Sequence, residues 1–136
     1  MREQFSIILR LCLLFFIAAI ASPALAQDAI KTEETVIRAL KTGDGQPIAG
    51  CLNDLCDLDL PQYKGTYSKA QAGKIIGDFF REHSFTGFRI TRQGQLADKE
   101  RYTIAEVKSG EHTYRIYFIV KDRSGKGVVP LFQVTR

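Results

Sequence analysis

The residues from Cys56 to Ala72 contain the side chains most suited to chemistry: two aspartates, a cysteine and two tyrosines around a turn. Asp57 and Asp59 alternate with leucines, so on an extended strand they share one face, with their carboxylates within ~7 Å of each other. Such a pair could bind a cation or act as a general acid and base. A hard cation takes about six or more oxygen ligands, and no dense group of further carboxylates follows. The pattern therefore favours a solvent-exposed strand face over a metal site.

Cys51 and Cys56 form the second candidate, because an even pair of cysteines in an oxidising compartment permits a disulfide. A bridge requires Cα atoms within about 7 Å, and a corner between a helix and a strand could bring them that close. Two separate thiols are the alternative, and the sequence leaves both open. A cysteine nucleophile is not predicted, because a thiolate needs a neighbouring base or cation and the sequence places none beside either residue.

The remaining ionisable candidates give no catalytic prediction. His83 follows a predicted helix and His112 lies beside a predicted turn, positions that favour a structural role for each. Among the acids in predicted strands, only Glu106 shares a face with apolar neighbours, Tyr102 and Ile104. We predict that Glu106→Gln changes nothing beyond a modest loss of stability. The sequence thus predicts no catalytic residue, no metal ligand and no cofactor.

The amino terminus has the pattern of an export signal. Arg2 and Arg10 flank a basic segment, residues 11–20 form an unbroken apolar run, and small residues at Ala24 and Ala26 suit signal peptidase. The apolar run is shorter than the ~20 residues that a membrane-spanning helix requires. We therefore predict a signal peptide over residues 1–26, a single domain over 27–136, and a periplasmic or secreted protein without a stable membrane anchor. A retained single-pass anchor is the alternative.

Charge is distributed unevenly over the predicted domain. Residues 28–60 carry three bases and seven acids, whereas residues 61–136 carry fourteen bases and seven acids. A positive region of this kind favours an anionic ligand or surface. The basic residues are scattered through predicted strands, and export removes the protein from the genome, so no nucleic-acid partner is expected.

Periodicity and turn residues predict the elements that carry these side chains. Asp28–Lys41 has helical spacing and ends before Gly43, and a short second helix is predicted to start near residues 44–47. Residues 55–60 alternate with period two and turn at Pro61, which predicts a short hairpin returning through residues 66–67. The predicted order of elements in the first half of the domain is therefore a helix, a second helix and a hairpin.

The second half begins with a helix and ends in strands. Ser68 forms a predicted capping box with Gln71 ahead of an apolar helical stripe. Gly73 and Gly77 each cost that helix roughly 1 kcal/mol relative to alanine, which predicts the close approach of another backbone. Four strands with turn residues between them follow, and predict an antiparallel meander with the helices on one face. Both faces of residues 114–121 carry apolar or aromatic side chains, which predicts a partner for the uncovered face. The alternative is that the long Arg and Lys side chains cover the exposed aromatic rings themselves.

Several segments point to a known family. They are residues 67–80, Gln93–Gly94, Tyr102 with Ile104 and Ala105, and residues 114–121. Together they resemble an exported bacterial family catalogued as domain of unknown function 4783, and the order of elements is similar to the cone-shaped nuclear transport factor 2-like fold. The resemblance implies an α+β domain with three amino-terminal helices packed on a curved antiparallel sheet, the cystatin-like arrangement ααβαββββ. It implies no established activity, so it supplies no catalytic residue.

Two functional hypotheses follow. The first is a non-enzymatic exported module that binds through the hollow between helices and sheet, or through the outer face of the sheet. Its expected partners are a small-molecule or lipid ligand, or a second copy paired through the sheet face. The candidate binding residues, chosen by residue type, are Tyr63, Tyr67, Tyr102, Arg115 and Tyr117. The second hypothesis is an isomerase-, dehydratase- or hydrolase-like enzyme, which would place an acid or base in a water-poor hollow.

Overall fold

The computed structural model describes residues 24–136, in which three helices pack against a six-stranded sheet. The helices are α1 (Ala24–Thr42), α2 (Gln46–Cys51) and α3 (Lys69–Glu82). The strands are β1 (Leu52–Leu60), β2 (Tyr63–Ser68), β3 (Gly87–Gln95), β4 (Arg101–Ser109), β5 (His112–Arg123) and β6 (Lys126–Thr135). Residues 1–23 of the predicted signal peptide lie outside the described residues, so export stays a prediction. None of the described helices has the length and apolar character needed to cross a membrane.

Helix α3 begins where the sequence predicts. The Ser68 hydroxyl accepts a hydrogen bond from the backbone N–H of Gln71 at 3.3 Å, and the Gln71 side chain accepts one from the backbone N–H of Ser68 at 3.4 Å. This capping box satisfies N–H groups that the helix leaves without partners. The side chains that α3 then buries are Ala72, Ile76, Phe79 and Phe80. The cap thus fixes the start of the helix, and the apolar stripe fixes the face that meets the core.

Helix α2 approaches α3 at positions that lack side chains. A Cβ atom built on Gly73 would lie 2.9 Å from the Cβ atom of Ala49, and one built on Gly45 would lie 3.2 Å from the Cα atom of Gly77. Larger residues would therefore force the two backbones apart. The close approach predicted from Gly73 and Gly77 is confirmed.

The sheet has the order β2-β1-β6-β5-β4-β3. All neighbouring strands are antiparallel except β1 and β6, which are parallel. The predicted α+β class, with three helices on a curved sheet, is confirmed, while the expectation of a wholly antiparallel sheet is corrected by this one pair. Parallel neighbours need a long connection, which the chain from β2 to β5 provides. The local turn signals of the sequence do not report such a distant pairing.

The two faces of the sheet have different surroundings. The inner face packs against the helices, and the largest buried side chains there include Leu40, Ile76, Phe118 and Phe132. The rings of Phe118 and Phe132 stack with centroids 6.4 Å apart, so the middle of the predicted hollow is filled. On the other side, here called the outer face, the alternating side chains of β4, β5 and β6 remain partly exposed. The described helices therefore all lie on the inner side.

Candidate functional site

The outer face carries two rows of side chains that cross five strands. The residues paired in register in the first row are Asp59, Gln133, Tyr117, Ile104 and Arg92. Those of the second row are Asp57, Leu131, Ile119, Tyr102 and Gly94. Neighbouring strands lie ~4.8 Å apart, so each row spans about 19 Å. Each row starts at an acid on β1 and continues through mostly apolar or aromatic side chains on β6, β5 and β4.

Two tyrosines form the aromatic part of the outer face. The ring centroids of Tyr102 and Tyr117 lie 6.3 Å apart, a separation at which aromatic rings interact. A Cβ atom on Gly94 would lie 2.8 Å from the Tyr102 ring, so the glycine allows this ring to cover β3. These tyrosines and the aliphatic side chains of both rows are half-buried. The centre of the face is thus an apolar surface that is open to solvent.

Charge changes sign across the outer face between β1 and β3. Asp57 and Asp59 lie on β1, where the Asp59 carboxylate is 3.7 Å from the ammonium of Lys64. Arg92 on β3 and Arg115 on β5 form no ion pair with any residue from 24 to 136. The face is therefore acidic at β1, apolar in the middle and basic towards β3.

Glu106 also lies on the outer face, where it pairs with Arg89. The Arg89 guanidinium donates a hydrogen bond to the Glu106 carboxylate at 2.5 Å. This bond, with the positive charges of Arg115 and Lys108, outweighs partial desolvation and holds the pKa of Glu106 below its ordinary value. The carboxylate thus shares a face with apolar neighbours as predicted, but that face lies outside the cone. An acid kept ionised at this position is unsuited to proton transfer in a water-poor hollow.

A pocket of about 260 Å³ opens on the inner side, at the carboxyl end of α3. Its walls come from the second half of α3, from the turn between β1 and β2, and from the neighbouring ends of β5 and β6. The side chains that give it chemical character are Tyr63, Asp78, Phe79, Glu82, Tyr114 and Arg136. The pocket therefore combines aromatic walls with charged groups.

His83 caps the carboxyl end of α3, and its ring lies beside this pocket. Its backbone N–H donates to the carbonyl oxygen of Phe79 at 3.0 Å, and its Nδ1 lies 2.9 Å from the same oxygen. Because a carbonyl oxygen only accepts, Nδ1 carries a proton and Nε2 is the ring nitrogen left for other partners. The ring stacks on Phe79 at 4.2 Å and meets Tyr114 edge-on at 5.4 Å. His83 thus has the predicted structural position and also lines the pocket.

Tyr114 combines deep burial with an unused hydroxyl group. The residue is only 5% exposed, and its ring packs edge-on against Phe79 with centroids 5.5 Å apart. Its hydroxyl has no hydrogen-bond partner among residues 24–136, although it is not sealed from solvent. Buried tyrosine hydroxyls usually find a partner. The pocket is where solvent or a ligand can supply one.

Glu33 is a buried acid that the sequence analysis does not single out. Its carboxylate accepts hydrogen bonds from the Arg101 guanidinium at 2.6 Å, the Thr103 hydroxyl at 2.8 Å and the Gln93 amide at 3.2 Å. These bonds tie α1 to β3 and β4. A signal was available, because Glu33 stands in the buried stripe of α1 at positions 29, 33, 36 and 40.

The predicted binding residues lie on both sides of the sheet. Tyr102, Arg115 and Tyr117 come together on the outer face. Tyr63 is exposed and lines the pocket, whereas Tyr67 is half-buried against the core. The first three can contact one partner, but they cannot share a ligand with Tyr63 or Tyr67.

Cys51 and Cys56 are both free thiols, so of the two alternatives left by the sequence the structure has the separate thiols. Cys51 ends α2 and β1 begins at the next residue, so an extended chain separates the two Cα atoms by roughly 13 Å, well beyond the ~7 Å of a disulfide. Burial raises the pKa of the Cys51 thiol. Burial and the nearby charge of Asp57 raise the pKa of Cys56 to about 12. Both thiols are therefore protonated at neutral pH and poorly reactive.

Comparison with known proteins gives one family. The profile described as domain of unknown function (DUF4783) matches residues 33–132. A DUF4783 protein structure from Bacteroides uniformis has a TM-score of 0.70 and 23% identity, covering 76% of this chain and 94% of that chain. One from Bacteroides ovatus has a TM-score of 0.68 and 20% identity, covering 74% and 90%. An NTF-2 like protein of unknown function from Burkholderia xenovorans has a TM-score of 0.59 and 14% identity, covering 80% and 82%. No curated protein matches the chain.

Proposed function

Since the chain belongs to the DUF4783 family of unknown function and has a nuclear transport factor 2-like fold, we propose that it is an exported, non-enzymatic interaction module that pairs with a second copy through its outer face. The observation that carries this proposal is the order of side chains in the two rows: both begin at an aspartate on β1 and pass through an apolar centre, and the first row ends at Arg92 on β3. The amino-terminal apolar run and the small residues at Ala24 and Ala26 support export.

The apolar centre of the outer face supplies the surface to be buried. Tyr117 and Ile119 lie on β5, the middle strand of the five, with Leu131, Ile104 and Tyr102 beside them on β6 and β4. Contiguous exposed apolar patches mark interaction sites on soluble proteins. A second sheet packed face to face at about 10 Å would cover all of these side chains. The hydrophobic contribution to pairing would therefore come from the middle of the face.

The charged edges select one orientation for the second copy. Two sheets that pack face to face are related by a twofold axis lying between them. An axis parallel to β5 brings Asp59 opposite Arg92 of the second copy, because β1 and β3 are equally distant from β5. An axis across the strands would instead place acid against acid and base against base. The charges at the ends of the first row therefore favour pairing along β5, where the apolar centre also lies.

The positions of Glu106 and Glu33 support a non-enzymatic role. Glu106 pairs with Arg89 on the outer face, and Glu33 has three hydrogen-bond partners in the core. Neither carboxylate is left to accept a proton from a substrate. We expect Glu106→Gln to cost only modest stability, mainly above the ordinary pKa of a glutamate, where the ionised side chain is stabilised by Arg89. An activity in the purified protein that disappears with this substitution would contradict the non-enzymatic role.

The mass of the native protein tests the proposed pairing. We expect native mass spectrometry and sedimentation equilibrium of the exported protein to show a dimer that dissociates on dilution. Ile119→Lys should give a folded monomer, because it puts a charge at the centre of the paired face. Glu34→Lys on the exposed side of α1 is the matched control, and it should remain dimeric. The same spectra report cleavage after Ala26.

Two results would overturn the proposal. One is a protein that stays monomeric up to millimolar concentration. The other is an Ile119→Lys variant that has native circular dichroism and dimerises as tightly as the Glu34→Lys control.

A further inference from the structure

We propose that the pocket at the carboxyl end of α3 binds a small organic cation, a protonated amine attached to a single ring or a short apolar chain. The site lies on the inner side of the sheet, so it does not depend on pairing through the outer face. Its support comes from the shape of the pocket, from an unused hydroxyl and from the charges around it.

Shape and aromatic walls favour a small ligand with an apolar part. The volume of about 260 Å³ lies just below the ~300 Å³ at which pockets for drug-sized ligands begin. The rings of Phe79 and Tyr114 stand at 87° to each other, and Tyr63 is 47% exposed at the same pocket. A ring or short chain can pack against these surfaces. Aromatic faces also attract ammonium groups, which they meet with the negative side of their quadrupole.

Two polar groups that line the pocket are open to a ligand. The hydroxyl of Tyr114 makes no hydrogen bond to residues 24–136 and is accessible to solvent, so it can accept one from a ligand. At His83 the Nδ1 proton is taken by the Phe79 carbonyl, which leaves Nε2 as the ring nitrogen open to another partner. An ammonium group carries only donors. The pocket thus offers acceptors where this ligand has donors.

The charges around the pocket also favour a cation. Asp78 and Glu82 both line it, and Asp78 is paired with Arg81, whereas Glu82 has no ion-pair partner in the described part of the chain. Helix α3 ends at Glu82, so its last carbonyl groups add partial negative charge at the same place. Arg136 is the one arginine in the lining; it donates to the His112 ring at 2.6 Å and keeps its charge, so the two carboxylates still outnumber it.

A metal ion fits the pocket less well than an organic cation. Within residues 24–136 no three His, Cys, Asp or Glu side chains are grouped closely enough to hold a metal ion. Aromatic rings form much of the wall instead. An amine with an apolar substituent uses both the rings and the carboxylate.

Three probes with the same ring and different tails test the inference on the exported protein. They are phenethylamine, 2-phenylethanol and 3-phenylpropionate, whose tails are cationic, neutral and anionic. Saturation-transfer NMR and calorimetric titration should show that the amine binds about tenfold more tightly than the alcohol. The carboxylate should bind more weakly than either. Tighter binding of the carboxylate, or no binding of the amine at millimolar concentration, would refute the proposal.

Two substitutions connect the binding to this pocket. Glu82→Gln should reduce amine affinity about five- to tenfold and leave alcohol affinity unchanged, because only the amine uses the charge. Tyr114→Phe removes the unused hydroxyl without changing the ring, and should weaken both. Glu34→Gln on α1 is the matched control and should change neither. Amine binding that survives both pocket substitutions in folded protein would place the ligand elsewhere and refute the assignment.

Discussion

Exchanging the charges at the ends of the first outer-face row is the sharpest test of the proposed pairing. With the twofold axis along β5, Asp59 of one copy faces Arg92 of the other, and the contact occurs twice. Asp59→Arg would set arginine against arginine, and Arg92→Asp would set aspartate against aspartate. The double variant restores opposite charges in reversed order. Asp59 is only half-buried and Arg92 is exposed, so neither change enters the core.

The expected size of the effect follows from the position of these charges at the rim. An exposed ion pair contributes about 0.2–1 kcal/mol, and a like-charge contact costs a comparable amount. Each reversal should therefore weaken pairing by about 0.4–2 kcal/mol per contact, or about 0.8–4 kcal/mol per dimer. Because about 1.4 kcal/mol corresponds to a factor of ten, the dimer Kd should rise roughly 4- to 700-fold in each single variant. The double variant should return to within about tenfold of the unmodified protein.

Sedimentation equilibrium over a dilution series measures all four Kd values. Measurements at low and high salt should show that salt weakens the unmodified dimer and partly relieves the repulsion in both single variants. Glu34→Arg, an exposed reversal on α1, controls for the change in net charge. Single variants that pair as tightly as the unmodified dimer would exclude this orientation. A double variant that fails to recover would show that the two residues do not face each other.

Three further predictions concern the inner side of the sheet. Gly73→Ala should destabilise the protein by about 1–2 kcal/mol, because the new Cβ would lie 2.9 Å from the Ala49 Cβ on α2. Gly77→Ala should stabilise it by up to about 1 kcal/mol through helix propensity, because the new Cβ would meet only the flexible Arg81 side chain at 3.6 Å. Urea unfolding of the pair measures both, and equal signs would contradict the observed helix approach. Glu33→Ala should cost about 2–4 kcal/mol in the same assay, because it leaves buried partners unsatisfied, and a neutral result would remove the network's role in holding α1. In denatured protein without the predicted leader, both Cys51 and Cys56 should react with a chromogenic disulfide reagent. In folded protein Cys51 should react slowly and Cys56 should not react. A mass lower by two hydrogens would instead mean a disulfide between them.

Local signals were sufficient to predict most of the fold. The capping residues Ser68 and Gln71 are three positions apart, so their pattern is visible in the sequence, and the helix begins there. The same holds for Gly73, whose cost in a helix requires a structural reason that α2 supplies. The turns between the last four strands likewise join strands that follow one another in the chain and pair in the sheet. In each case the physical cause and its consequence lie within a few residues.

Features that depend on distant pairing could not be predicted in the same way. The parallel contact of β1 with β6 joins Leu58 to Phe132, and no turn links them. The pocket assembles Tyr63, α3 and Tyr114 from three separate parts of the chain. Residue type alone placed Tyr102 and Tyr63 in one candidate set, although the sheet separates them. Glu33 is a different case. Its position in the apolar stripe of α1 indicated locally that the acid is buried, but the reason for its burial is its hydrogen bonds to distant residues in β3 and β4.

The state of the buried polar groups distinguishes architecture from a binding site in this protein. Glu33 and Tyr114 are about equally buried, at 3% and 5% exposure. The acid has hydrogen-bond partners on both carboxylate oxygens, so adding a ligand there would break bonds that hold α1 to the sheet. The hydroxyl of Tyr114 has no partner in the described chain and borders a pocket, so a ligand there would only add bonds. Among residues 24–136 the most buried acid is therefore structural, whereas Tyr114, His83 and the unpaired Glu82 at the end of α3 form the surface that can gain a ligand.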